Sequence, residues 1–393
     1  MAFRSKQMYS PAVLRQWAII VTNRDAQGVN NLISTMQRVA GPIGYTISQP
    51  MAIVRAASPS ASAFTNALNE VIAKAQGKLD MILIILPNPN ADTYAAVKKI
   101  CSISHGIPSQ CFLAKHFNNA KGLMSICTKL VIQMSAKQGG EPWGAMIPMK
   151  NIMVLGYDVH HGAVGTRGAS VAAMTATFNE TLGRCFSKVA KLESREEVAT
   201  TVAQLFDDCL RAYFRQNNVL PDRIMMYRDG VGEGQLPDVY NNELEGIKDK
   251  ITLRYQQKET SAPKLSYIVV NKRINTRIFA KDRAPHRYIN PLPGTVVDDV
   301  VTRPERYDFF LVSPTARQGC VSPTYYNVLL DESGLNADKM QRFTFKLCHL
   351  YFNWAGTVAV PGPCQNAHKL AFLTGTALRG DVHAKLAYLM HFL

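Results

Sequence analysis

Two aspartates that follow apolar runs are the residues of this chain best placed to do chemistry. Asp158 comes after Ile152-Met153-Val154-Leu155-Gly156-Tyr157, and Asp229 closes Ile224-Met225-Met226-Tyr227-Arg228. Each run reads as a buried strand. A carboxylate at the end of such a strand is costly unless it is paired or binds a metal. If the strands are neighbours, the two carboxylates repel, and divalent cations relieve the repulsion. That suits two-metal hydrolysis of a phosphodiester, with ions roughly 4 Å apart. The plainer reading is a pair of turn-capping aspartates, each with a glycine nearby (Gly162 and Gly230).

Other residues carry weaker signals. Ser194-Arg195-Glu196-Glu197 is an S-x-x-E capping box, followed by Val198, Val202, Leu205, Cys209 and Tyr213 on one helical face. A helix cap fully explains Glu197, and Glu196 competes with it for any catalytic role. His368 opens an apolar stretch reaching Thr374, where a lone histidine is more often a packing residue than a ligand. His160 and His161 are adjacent on an expected strand, so they point to opposite faces and should not share an ion. Gly230, Gly232 and Gly234 lack G-x-G-x-x-G spacing, and an aspartate precedes them, so a dinucleotide loop is a poor fit. Earlier in the chain, Tyr94 and Lys98 share one helical face after Pro87-Asn88-Pro89-Asn90. A ring beside an ammonium can stack a base while the charge holds its phosphate. The plainer reading of the pair is an amphipathic helix with a packed tyrosine and a solvated lysine.

These side chains need a scaffold, and the pattern is that of an α/β protein, short apolar runs alternating with helical stretches. Strands are expected at Trp17–Thr22, Met81–Leu86, Ile152–Tyr157, Arg223–Tyr227, Tyr267–Val270 and Phe309–Val312, with helices from about 30 to 39 and 63 to 75. Gly139, Gly140 and Pro142 punctuate Ala136–Trp143, the expected domain junction, and Lys258–Lys264 reads as a loop. The first half is then a small doubly wound unit, which binds ligands beyond the carboxyl ends of its strands.

Bulk properties narrow the partner. The 393 residues are 47% hydrophobic, enough for two cores, and 44 Lys and Arg against 29 Asp and Glu give a net charge of +15. That excess suits a polyanion such as nucleic acid, although scattered surface lysines give the same number. The eight cysteines are dispersed without C-x-x-C pairs, against a zinc site or disulfide framework. No signal-peptide pattern and no run of 18 apolar residues occurs, so an intracellular, soluble protein without a membrane partner is expected.

Taken in series, the segments resemble the Argonaute superfamily and, within it, the PIWI clade. The matching stretches are Tyr-Ala-Ala-Val-Lys-Lys (94–99), Ser-Gln-Cys (109–111), Lys137-Gln138-Gly139-Gly140, Gly-Tyr-Asp-Val (156–159) and Tyr-Arg-Asp-Gly-Val (227–231). They continue through Lys-Arg-Ile-Asn-Thr-Arg (272–277), Gly-Thr-Val-Val-Asp (294–298), Tyr-Asp-Phe (307–309), Pro-Thr-Tyr-Tyr-Asn-Val (323–328) and Ala-His-Lys-Leu-Ala-Phe (367–372). Ten such stretches in order leave little room for chance.

The resemblance implies an N-terminal arm (1–12), a Rossmann-like MID domain (13–140) that binds a guide 5′ end, and an RNase H-like PIWI domain (141–393). It implies a catalytic set of Asp158, Glu197, Asp229 and His368, the spacing to Asp229 favouring Glu197 over Glu196. Two Mg²⁺ ions, replaceable by Mn²⁺, would bind Asp158, Asp229 and His368. Tyr94 would stack on the first guide base while Lys98, Gln110 and Lys137 hold the 5′ phosphate. Gln133 stands where many Argonautes have a second lysine, as is usual in PIWI proteins, which recruit a further metal ion and the C-terminal carboxylate, here on Leu393. Lys272, Arg273 and Arg277 would line the guide backbone. The implied protein is a germline, piRNA-like silencing factor and Mg²⁺-dependent slicer, binding a 5′-phosphorylated single-stranded guide RNA and a complementary target RNA. It would act with silencing-complex proteins, in cytoplasmic perinuclear granules or the nucleus. The alternative is a guide-binding scaffold with little or no slicing. PIWI proteins normally carry N-terminal and PAZ domains as well. This chain has neither, so a fragment or a short lineage with weaker slicing is expected.

Overall fold

Trp17–Thr22 (β1) and Met81–Leu86 (β3) are unbroken apolar runs, and every one of their residues is buried in the computed structural model. The described residues are 6–119, 122–162, 170–192, 197–284, 287–316 and 318–393, with Glu197 described in its backbone alone. A strand buried on both faces belongs at the centre of a parallel sheet. Accordingly β1 lies between Ala52–Ala56 (β2) and β3, and β3 pairs with Ser109–Leu113 (β4), all parallel.

Alternate residues of these strands feed two cores. Ile19, Val21, Leu83 and Ile85 pack with helices Val29–Ala40 (α1) and Leu123–Lys137 (α4). Ala18, Ile20, Ile82 and Ile84 pack with Phe64, Leu68 and Val71 of Ala61–Lys74 (α2) and with Val97 of Ala91–Lys99 (α3). Ser60 caps α2 and Asn90 caps α3 through their side-chain oxygens. This doubly wound unit comprises Met1–Gly144 together with Phe372–Leu393, so the chain's end returns to the unit in which the chain begins.

The second unit, Ala145–Ala371, is built on an eight-stranded mixed sheet. Its strands are Ile152–His160 (β5), Ser170–Thr177 (β6), Cys185–Leu192 (β7), Arg223–Asp229 (β8), Lys264–Asn271 (β9), Thr295–Val297 (β10), Tyr307–Val312 (β11) and Thr324–Asp331 (β12). The order is β10-β11-β12-β9-β8-β5-β6-β7, with β5, β8 and β9 parallel and the flanking strands antiparallel. Helix Glu197–Asn217 (α5) packs on β6 and β7, Glu245–Gln256 (α6) packs on α5, and Ala337–Leu347 (α7) follows β12 in the chain.

One expectation changes here. The strand carrying Asp158 does not stop at Tyr157: pairing with β6 (Asp158 with Ala173, His160 with Val171) carries it on to His160. Asp158 is therefore a strand residue, whereas Asp229 does end its strand. Among the described residues no helix is long and apolar enough to cross a membrane.

Candidate functional site

The register of the central strands accounts for the first pair. β5 and β8 run parallel with Tyr157 opposite Arg228, so the next positions, Asp158 and Asp229, lie side by side. Both are buried, at 7% and 2% exposure, where two bare carboxylates are costly. Burial, reinforced by Asp158, pushes the Asp229 carboxyl above the usual range even though Lys272 pulls it down. Burial also pushes Asp158 up, but the hydrogen bond and charge of His368, with Lys272 and Arg228, outweigh it and leave Asp158 below that range.

His368 reaches this pair from helix Gly362–Leu373 (α8). Its Nδ1 lies 2.8 Å from Asp158 Oδ2. The helix can come so close because residue 156 is glycine. A Cβ there would stand 2.2 Å from the Pro363 carbonyl carbon and 2.3 Å from the Cys364 nitrogen. A glycine inside an apolar strand marks such an approach of another backbone. Hydroxyl groups hold the segment entering α8: Thr175 Oγ1 donates to Pro363 O, Thr324 Oγ1 to Ala359 O and Ser313 Oγ to Val358 O, each at 2.7 Å.

The result is one group: ligand atoms of Asp158, Asp229 and His368 all lie within 4.8 Å of one another. Two carboxylate oxygens and an imidazole nitrogen are a donor set that could hold a divalent metal ion. Glu197 opens α5, and its side chain, with residues 194–196 of the expected cap, lies outside the described residues.

Lys272 does not stand with Arg273 and Arg277. Its Nζ lies 2.5 Å from Asp229 Oδ2, because β9 pairs with β8 and delivers the residue after Asn271 to the carboxylate. Arg273 and Arg277 are exposed on the following loop, where Arg277 donates to the carbonyls of Ile274 and Thr276. Sequence reasoning also missed a fixed cation. The Arg228 guanidinium is buried, binds both oxygens of Glu243 at 3.1 and 3.2 Å, donates to Asp229 O at 2.7 Å and lies 4.5 Å from the Tyr157 ring centroid. Tyr267 Oη completes the network on Glu243 Oε2 at 2.8 Å. An arginine inside an apolar strand run was the available signal for it.

The first unit gathers most of the other predicted residues. Lys98 Nζ donates to Ser109 O and Oγ, both at 2.9 Å, and Lys137 Nζ donates to the same carbonyl at 3.1 Å. Both lysines are buried, at 3% and 2% exposure, and among the described residues neither has a carboxylate within ion-pair reach. Burial, with Lys98 adding to it, lowers the Lys137 ammonium well below the usual lysine range. Tyr94 presents its ring 5.8 Å from Lys98 Nζ. Gln110 donates to Cys111 O at 3.1 Å and Gln133 Oε1 at 3.4 Å, while its own buried Oε1 has no partner among the described residues. His391 of the C-terminal tail is close enough to feel both lysines, and half-buried Leu393 ends that tail. Two buried ammonium groups that share one carbonyl and have no carboxylate in reach among the described residues could pair with an anion.

Adjacent carboxylates on parallel strands, met by a helix histidine inside a mixed sheet of this order, define the second unit as an RNase H-like domain. The comparisons give the family. The Piwi domain model matches residues 81–379. The chain is 40% identical over 391 residues to Piwi-like protein 1 of Danio rerio, covering 99% of this chain and 44% of that protein. It is also 40% identical over 391 residues to Piwi-like protein Siwi of Bombyx mori, covering 99% of this chain and 42% of Siwi. The crystal structure of Drosophila Piwi superposes with a TM-score of 0.89 at 35% identity, covering 100% of this chain and 52% of that one. The chain belongs to the Piwi family, the PIWI clade of the Argonautes, and spans less than half the length of these curated relatives.

Proposed function

We propose that this chain is the guide-holding and target-cutting portion of a small-RNA-guided, piRNA-like silencing protein, acting as a divalent-metal-dependent endoribonuclease. The observation that carries the reading is the convergence of Asp158, Asp229 and His368 within 4.8 Å. Asp158 and Asp229 would hold Mg²⁺ or Mn²⁺, and the bound ions supply an activated water and offset charge on the scissile phosphodiester. His368 would join them as a nitrogen ligand, and its bond to Asp158 Oδ2 orients that carboxylate. Arg228 pins the backbone of Asp229, so both carboxylates are positioned before substrate arrives. Glu197 would complete this set.

In the first unit, Lys98, Lys137 and Gln110 would hold a guide 5′ phosphate and Tyr94 would stack on its first base. Gln133, and the Leu393 carboxylate through a further ion, would border that phosphate. Arg273 and Arg277, exposed on one loop, would contact the guide backbone. Both residues are exposed, which suits contacts to phosphate.

The test is to load 5′-phosphorylated single-stranded RNA, add a labelled complementary RNA and look for one Mg²⁺-dependent cut at a fixed position. If Asp158→Ala cuts as well as the unaltered chain, or neither cuts, the enzyme reading is wrong and a guide-binding scaffold remains. Equal affinity for 5′-phosphate and 5′-hydroxyl RNA would remove the guide-pocket reading too.

A further inference from the structure

Lys272 follows the last residue of β9, and its ammonium sits 2.5 Å from Asp229 Oδ2, its one hydrogen bond among the described residues. The partners are unequally fixed. The Asp229 side chain is 2% exposed on the central sheet, whereas that of Lys272 is 29% exposed on a flexible four-carbon stem. Arg228 is the contrast: held by Glu243, Asp229 O and the Tyr157 ring, it cannot leave.

Asp229 also belongs to the three-residue group that fits a divalent ion. An ion at about 2.1 Å from a carboxylate oxygen and an ammonium hydrogen-bonded to that oxygen repel each other strongly. We propose that Lys272 is an internal counter-cation of the metal centre: it neutralises Asp229 until a divalent ion binds, is displaced from Oδ2 by that ion, and so sets how much divalent ion the site requires. The inference rests on reading Asp158, Asp229 and His368 as metal ligands. It gives Lys272 a task distinct from that of Arg273 and Arg277.

The experiment uses the 393-residue chain, with Mn²⁺ binding followed by electron paramagnetic resonance and thermal melts at pH 8 in EDTA or saturating Mn²⁺. Lys272→Met, which keeps the stem and removes the charge, should bind Mn²⁺ about three- to tenfold more tightly. It should melt below the unaltered chain in EDTA, with Mn²⁺ bringing both to the same Tm. Lys272→Arg, which keeps the competing charge, should bind Mn²⁺ no more tightly than the unaltered chain. Unchanged or weaker Mn²⁺ binding by Lys272→Met, or an equal Tm deficit with and without Mn²⁺, would reduce Lys272 to an ordinary structural ion pair. If Asp229→Asn leaves Mn²⁺ binding unaltered, the metal reading itself has failed, and this inference goes with it.

Discussion

His368 Nδ1 and Asp158 Oδ2 lie 2.8 Å apart across 210 positions of sequence. The contact exists because α8 descends onto Gly156, a strand position without a side chain, so a helix residue and a strand residue share a hydrogen bond. The chemistry proposed for the second unit depends on that approach.

Asp158→Asn keeps the shape of the side chain and removes its charge. Mn²⁺ binding should weaken, and guided cleavage should fall by roughly 100-fold or more. Binding of 5′-phosphorylated RNA should be unchanged, because the residues proposed to hold the phosphate all belong to the first unit. Filter binding and single-turnover cleavage on the same preparation check both halves.

Gly156→Ala tests the helix approach without touching a charged group. The new Cβ would meet backbone atoms of Pro363 and Cys364, which cannot swing aside. Overpacking of this kind costs about 3 kcal/mol. The expected result is a lower midpoint in urea together with weaker Mn²⁺ binding. Stability lost with Mn²⁺ affinity intact would show that the position of α8 is irrelevant to the ligand set.

Lys137→Met should trade function for stability. The buried ammonium has no carboxylate partner among the described residues, so an apolar chain of similar size should stabilise the fold by about 1 kcal/mol or more at neutral pH. Affinity for 5′-phosphorylated RNA should drop by about tenfold or more, with little change for 5′-hydroxyl RNA. Because the folded state holds this lysine below its ordinary value of 10.5, the unfolded chain binds more protons just below that pH. Stability of the unaltered protein should therefore rise as pH climbs towards 10.5, and Lys137→Met should flatten that rise.

His391 sets the acid side. Burial, with the charges of Lys98 and Lys137, pushes its imidazole down to about 4 from 6.5, against the opposing effect of the Leu389 carbonyl. Between those values the unfolded chain carries the extra proton. This component of stability is full above pH 6.5 and is lost as pH falls towards 4, by at most about 1.4 kcal/mol per pH unit. His391→Phe should gain on the unaltered chain as pH drops from 7 to 5. A constant stability difference across that range, in urea titrations, would contradict the assignment.

Much of the fold could be read in the chain itself. Trp17–Thr22 and Met81–Leu86 have no polar face, so they had to be central parallel strands. The helices expected from 30 to 39 and 63 to 75 form at Val29–Ala40 and Ala61–Lys74. Less legible was Ser170–Thr177: Ser-Val-Ala-Ala-Met-Thr-Ala-Thr is too small and mixed to declare a strand before its partners are known. Pairing with that strand is also what extends β5 past Tyr157 and leaves Asp158 inside it.

Sequence alone determined which residues carry charge at the ends of apolar runs, because desolvating a carboxylate is costly wherever the run is buried. It also determined the two-unit α/β pattern, because strand and helix periodicities are local. Tertiary structure decided what each charge faces. Register put Asp158 beside Asp229, Gly156 admitted α8 with His368, and β9 brought Lys272 to a carboxylate. The tail with His391 joined the unit that holds Lys98 and Lys137. Those are long-range pairings, set by how whole elements pack, and no short window of residues contains them.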